Sequence, residues 1–283
     1  MVQKISAVII AWNGEKEIKK CLDSIKNVVS EIIVLHDGKC SDKTPTIVKG
    51  YGAKYKKMPY IGEAEPHRNH GFNLAKNDWI LWIDQDEQLS KPLQKALKNF
   101  EPSPDISAYT LLWSVKYGNK WLNHGYFSRV PKLCLFRKSR MLKFNGLPNE
   151  CIKVVGKVWN TNYRMIHKPF GERNTIKVFF NRTKRIVKIH AEQMIKKKVA
   201  DMPSIWYLLK APLWFVLYLG YYFVLKRTIK SKADISITVQ NALYNYYLYW
   251  YVFKILWDAE EKAYANIMKN QPIPQQPFGI GGI

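Results

Sequence analysis

Acidic side chains are scarce in this sequence. Of 283 residues only 22 are Asp or Glu against 45 Lys or Arg, a formal charge of +23, far beyond what solubility asks of a domain. An anionic partner is implied. Cysteine is scarcer still: Cys21, Cys40, Cys134 and Cys151 stand far apart, with no C-x-x-C pair and no histidine at ligand spacing. That spacing argues against zinc-finger and dithiol redox modules and for thiols of a reducing compartment. No charged region followed by a long apolar stretch and a cleavage site opens the chain, so no secretory signal is expected. Internal repeats are absent too, and the Pro-, Gln- and Gly-rich stretch 271–283 reads as a loose tail. Apolar material is plentiful: 47% of the residues are hydrophobic, which supplies a real core rather than a disordered chain.

The positive excess is unevenly placed. Residues 1–100 carry 16 basic and 12 acidic side chains, so most of the imbalance lies beyond them. From 181 to 232, 12 basic residues face only Glu192 and Asp201, and they surround the most apolar run of the chain, 205–225. A basic belt beside an apolar segment fits anionic lipid better than nucleic acid. As a helix the run would be about 31 Å long, enough to cross a bilayer core. Lysines at 196–198 precede it and Lys226, Arg227, Lys230 and Lys232 follow it, so charge gives no direction across a membrane and favours a helix lying in the interface. A true span and a soluble cap on the rest of the protein are the alternatives. A second run, 243–257, is rich in Tyr and Trp, residues that settle at the headgroup level.

The first hundred residues alternate strand and helix patterns, which implies βαβ units and a mainly parallel sheet. Strands are expected at Ile5–Ala11, 31–35, 53–57 and 79–83. Between the first two, Ile18, Cys21, Leu22 and Ile25 recur at helical spacing with lysines on the other face. Further helices are expected near 43–50, 64–76 and 91–99, each with a capping residue or a proline near its start. Beyond Pro102 and Pro104 a more irregular, mixed half follows, with strands at 108–115, 132–136 and 151–155, and the pattern turns helical from about Arg185.

Chemistry is expected at one edge of the sheet. The run at 79–83 is apolar on both faces, as a strand buried between helix layers should be, and it ends in Asp84-Gln85-Asp86-Glu87. Ligands of open α/β sheets gather beyond the carboxyl ends of the strands. Two carboxylates one residue apart there can share a divalent cation, Mn2+ or Mg2+, with a diphosphate; a solvated acidic turn is the plainer alternative. Ala11-Trp12-Asn13-Gly14-Glu15 follows the first strand and His36-Asp37-Gly38 the second. Glu63-Ala64-Glu65-Pro66-His67-Arg68-Asn69 opens a helix on the same side, and its arginine offers a planar fork to a phosphate or base. His67, His70, His124, His167 and His190 form no H-x-x-x-H pair and are expected to be structural or surface residues, with His124 the best placed of them.

On these residues the chain resembles the family 2 glycosyltransferases with the GT-A fold. The matching segments are Ile9 to Glu15, His36-Asp37-Gly38 with Ser41-Asp42-Lys43-Thr44, Arg68-Asn69-His70-Gly71 with Ala75, and Asp84-Gln85-Asp86. His124-Gly125, Leu135-Phe136-Arg137-Lys138 and Phe144-Asn145-Gly146-Leu147-Pro148-Asn149-Glu150 are similar to the subgroup that adds sugars to lipopolysaccharide cores and other cell-surface glycans. His36 stands where the family has an acid, and Asn149 where the subgroup has His.

The resemblance implies a nucleotide-sugar donor held by Asn13, Glu15, Asp37, Arg68 and Asp84. Asp37 would contact the base, Arg68 would hold the nucleotide, and Asp84 and Asp86 would serve ribose and metal. It implies Glu150 as the general base of an inverting transfer, with His124 on the acceptor side. The expected organisation is a donor half at 1–100, an acceptor half at 101–185, membrane-associated helices at 186–270 and a tail at 271–283. The expected partners are the donor, a glycan or lipid-linked acceptor and an anionic membrane surface reached from the cytoplasmic side as a peripheral or monotopic protein. Nucleic acid is not expected. The alternatives are a nucleotidyltransferase, which normally has a Gly- and Lys-rich phosphate loop where this chain has Asn13-Gly14-Glu15, and a basic binding module, which has no need of Asp84 and Asp86.

Overall fold

The computed structural model describes residues 3–62, 64–117, 120–121, 128–144, 151–168, 176–196, 200, 202–222 and 232–270. Its N-terminal half is built as the alternation of patterns predicts. Strands β1 (Ile5–Ala11), β2 (Glu31–Asp37), β3 (Lys54–Met58) and β4 (Trp79–Trp82) lie parallel in the order β3-β2-β1-β4. Helices α1 (Ile18–Ile25), α2 (Thr44–Gly50) and α3 (Glu65–Leu74) form the crossovers. Every residue of β1 and β4 is buried, which is why neither shows a polar alternation. From α1, Ile18, Cys21, Leu22 and Ile25 are all fully buried. Burying a Leu or Ile of this kind stabilises by roughly 1.5–3 kcal/mol.

The second half extends the same sheet with mixed polarity. Short β5 (Glu87–Leu89) and helix α4 (Lys91–Lys98) follow β4, and then come β6 (Ile106–Tyr117), β7 (Lys120–Trp121), β8 (Ser128–Arg137) and β9 (Lys157–His167). The nine-stranded sheet continues β4-β8-β6-β9-β5, with β7 paired to β6. β8 runs antiparallel to β4 and β6, and β9 runs parallel to β6 and antiparallel to β5.

One expectation fails here. No strand forms at 151–155, where a single bridge joins Met141 to Val154; the strand lies at Lys157–His167 instead. Most of its first eight residues are exposed, so its sequence has no apolar period and its backbone pairing to β6 sets its place. β5 was also unanticipated, because three residues carry no period.

Three further helices follow among the described residues: α5 (Ile176–Lys196), α6 (Ser204–Gly220) and α7 (Lys232–Asn270). α5 begins nine residues earlier than the pattern suggests. They share a second, smaller core formed by Val187, Ala191, Tyr207, Leu248 and Val252. The regular α-helix of α6 covers 17 residues, and 223–225 of the helix expected over 205–225 lie outside the described residues. Among the described residues no helix is long and apolar enough to cross a membrane.

Candidate active site

The carboxyl ends of β1, β2 and β4 bring the loops after them together. Asn13 adopts a left-handed backbone, φ 43°, which Asn tolerates better than most residues. Its N–H donates to Nε2 of buried His36 at 3.1 Å, and the other ring nitrogen lies 3.1 Å from the Gly38 carbonyl. An N–H can only donate and a carbonyl can only accept, so the two partners fix a neutral ring with its proton on Nδ1. That explains how His36 stands where the family has an acid: it splints two loops.

Asn13 and Glu15 have their side chains committed. Asn13 Oδ1 accepts from Ser41 N–H at 2.9 Å, and Glu15 Oε2 accepts from Lys43 N–H at 3.0 Å. In return Gly14 N–H donates to Thr44 Oγ1 at 2.8 Å and Glu15 N–H to Asp42 Oδ2 at 3.0 Å. Burial would raise the Asp42 carboxyl, but the donors from Thr44 and Glu15 outweigh it and hold the group at about 2. These side chains lock the loop after β1 to the segment before α2.

Asp37 is likewise engaged. Nearly fully buried, it accepts from Ile61 N–H and Gly62 N–H, both at 2.7 Å, and its Oδ1 lies 3.0 Å from His67 Nε2. Burial alone would raise its carboxyl, yet the His67 ring and the two backbone donors pull it below the ordinary carboxylate range. Its position at the end of β2 is the expected one. Both its oxygens accept hydrogen bonds from the protein.

Arg68 and Asp84 meet as the sequence suggests, within a larger network. Arg68, buried in the first turns of α3, donates from Nη1 to Glu65 at 3.1 Å and from Nη2 to Asp84 Oδ1 at 3.0 Å. Its guanidinium lies 3.9 Å from the Trp82 ring centre, a cation–π placement. On the far side of Asp84, Lys132 of β8 approaches Oδ2 at 3.3 Å and both oxygens of fully buried Glu87 at 2.7 Å. Glu87 also accepts from Trp113 Nε1 at 2.6 Å and from Asp84 N–H at 2.8 Å. Burial would raise the Asp84 carboxyl; Lys132 and Arg68 overcome it and hold the group far below the usual range. Burial would lower the Lys132 ammonium, but Asp84 and Glu87 push it up.

Asp86 stands apart from Asp84. Its Oδ2 lies 3.2 Å from His167 Nε2, brought there because β5 pairs with β9 in a register that sets Glu87 opposite His167. The His167 ring stacks on Trp113, with centres 4.5 Å apart and planes at 18°. Burial would depress the imidazole, and Asp86 and Glu87 more than compensate and raise it. His167 Nδ1 is buried without a hydrogen-bond partner among the described residues, capacity that protein rarely leaves unused. A carboxylate oxygen and an imidazole nitrogen at this spacing make two donors for one cation. No third His, Cys, Asp or Glu joins them among the described residues, so a cation here would complete its shell from water or a ligand.

His167, expected to be structural or superficial, is part-buried beside Asp86, and the places of Lys132, Glu87 and Trp113 in this network are not legible in the sequence. Lys132 did leave a signal, a lysine opening the apolar run Leu133-Cys134-Leu135-Phe136, since a charge in a buried strand needs a partner. Glu87 closes the acidic run, but nothing in one dimension separates its buried place from that of its half-exposed neighbours. Glu150 and His124 lie outside the described residues.

With this geometry in hand, the chain can be compared with known proteins. The model of the family described as "Glycosyl transferase family 2" matches residues 6–158. A protein of Rickettsia bellii described as an uncharacterized glycosyltransferase is 37% identical over 116 residues, 41% of this chain and 38% of that protein. One of Rickettsia typhi is 30% identical over 156 residues, 55% of this chain and 47% of its own. This chain thus spans less than half the length of either relative. Among solved structures, a mannosyltransferase of Pyrobaculum calidifontis in complex with GDP-Man and Mn2+ covers 97% of this chain and 77% of its own at 12% identity and a TM-score of 0.46. A fragment of S. aureus TarS in complex with UDP-GlcNAc covers 92% of each chain at 14% identity and 0.42. Scores this low have no bearing on what this chain binds.

Proposed function

The chain belongs to glycosyl transferase family 2, and from that premise we propose that it transfers a sugar from a nucleoside diphosphate donor to a glycan or lipid-linked acceptor at the cytoplasmic face of a membrane. Family membership removes the nucleotidyltransferase and the non-enzymatic binding module as readings. One observation carries the proposal: at the carboxyl end of the sheet the two aspartates of D-x-D have separate partners, Asp84 between Arg68 and Lys132 and Asp86 beside His167.

Asp86 and His167 would hold the cation. A mixed oxygen and nitrogen pair suits Mn2+ better than Mg2+, which favours oxygen alone. When bound, the cation supplies positive charge to the departing diphosphate. Arg68 and Lys132 would add to that charge at no cost in reorganisation, because Asp84 and Glu87 already fix them. Both oxygens of Asp84 are taken, so this residue orients the cations rather than acting as a principal metal ligand. Glu150 is the proposed base, supported by the motif that it closes. It accepts the proton of the acceptor hydroxyl as the oxygen bonds to the anomeric carbon. The bond to the diphosphate breaks on the opposite face, and its electron pair leaves with the diphosphate.

Thermal denaturation of the full chain with MnCl2, UDP and GDP, singly and in pairs, tests the donor site. One nucleotide should raise Tm only together with Mn2+, because a ligand of the native state stabilises by mass action. Asp86→Asn and His167→Gln should lose that rise; an undiminished rise in Asp86→Asn, or in EDTA, rules the assignment out. Glu150→Gln should keep the rise and, once a donor is found, lose transfer by about 10²–10⁴. Normal transfer with a lowered Tm would make Glu150 structural.

A further inference from the structure

Helix α6 is covered by protein on one side only. Ser204, Tyr207 and Ala211, three and four positions apart, are buried, and Tyr207 stacks against Tyr249 of α7 with ring centres 6.3 Å apart. Around the rest of the helix Ile205, Trp206, Leu209, Leu213, Val216 and Leu217 are between 46% and 64% exposed. Positions like these on a helix facing water carry charge; in α6 the one charged residue is Lys210. A continuous apolar face of this kind marks an interaction site.

Several occupants are disfavoured by what is on the chain. A second copy brings the same charge of +23 to close range, where like charges oppose association. The tail 271–283 offers only Ile273, Phe278, Ile280 and Ile283 as large apolar side chains, too few to cover the face. The 17 residues of α6 reach about 26 Å against a hydrocarbon core of ~30 Å, and among the described residues no helix is long and apolar enough to cross a membrane. The flanks name the remaining occupant. Three lysines at 196–198 precede α6 in sequence, and Lys226, Arg227, Lys230 and Lys232 follow it, so the segments on both sides of the apolar helix are basic.

We propose that the exposed face of α6 lies in the headgroup region of an anionic bilayer, its axis along the surface, with α7 holding it from the protein side. Apolar side chains enter the acyl boundary, Trp206 sits at the level where indole is favoured, and the flanking cations meet lipid phosphates, each worth about 1 kcal/mol near such a surface. The inference rests on α6 and its flanks and does not require the sugar-transfer reading.

The test is co-sedimentation of the full chain with vesicles of phosphatidylcholine alone or of phosphatidylcholine and phosphatidylglycerol in equal parts, alongside sedimentation equilibrium without lipid. Binding should be at least about tenfold tighter to the anionic vesicles and should weaken as salt rises. Leu213→Glu with Leu217→Glu changes two exposed positions, so the variant should keep the parent Tm and any Mn2+-dependent nucleotide shift while losing vesicle binding. Three results would overturn the proposal: a parent that ignores anionic vesicles, equal binding to both vesicle types, or a parent dimer that the double variant dissolves. The last would make the face a contact between copies.

Discussion

Asp37 gathers two backbone N–H groups and the His67 ring around one carboxylate, and so ties the end of β2 to residues 61–62 and to α3. Asp37→Asn keeps the shape but puts an NH2 where the charge accepted hydrogen bonds. Leaving a buried donor unpaired costs about 1–3 kcal/mol, so thermal denaturation should show a Tm lower by several degrees. The pH dependence has a definite sign. The native carboxyl lies below its ordinary value, so its contribution is whole above the usual carboxylate range and is lost as pH falls through the lowered native value. The difference in Tm between parent and variant should therefore narrow on acidification; a gap that widens would refute the assignment. That Asp37 ends a strand is legible in His36-Asp37-Gly38. That its oxygens are spent on Ile61, Gly62 and His67 is not, because those partners lie more than twenty residues away.

At the scale of elements, the approach of α3 to the sheet decides where Arg68 stands. A Cβ on Gly71 would overlap Val8 Cγ1 of β1 and come within 3.3 Å of Leu35 Cδ1 of β2, so the helix sits closer than any larger residue allows. Gly71→Ala should lower stability through overpacking by about 1–3 kcal/mol, offset in part by the better helix preference of Ala, about 1 kcal/mol. Since Arg68 lies one turn earlier, the Mn2+-dependent nucleotide shift should weaken as well. A higher Tm with an unchanged shift would show that α3 is free to retreat. β5 and β9 teach the opposite lesson about legibility. Both are held by backbone pairing along a mixed edge, so side-chain period says little about them, yet their register carries His167 to Asp86.

For the whole molecule, two cores follow from two kinds of sequence. The continuous apolar runs of β1 and β4, with the spaced residues of α1, build the large sheet core; the aromatic C-terminal third builds the small helical one. The parallel order of the first four strands, the gathering of Asp37, Arg68, Asp84 and Asp86 at one end of the sheet, and a cationic, apolar C-terminal region are determined by the sequence alone, because local period and crossover handedness leave few other arrangements. Only the tertiary structure decides that Asp84 belongs to Arg68 and Lys132 while Asp86 belongs to His167, that Asn13 and Glu15 serve the loops, and which side of α6 is left bare. Each of these depends on contacts between distant segments, and burial, not residue type, sets which carboxylate is clamped and which is left beside an imidazole.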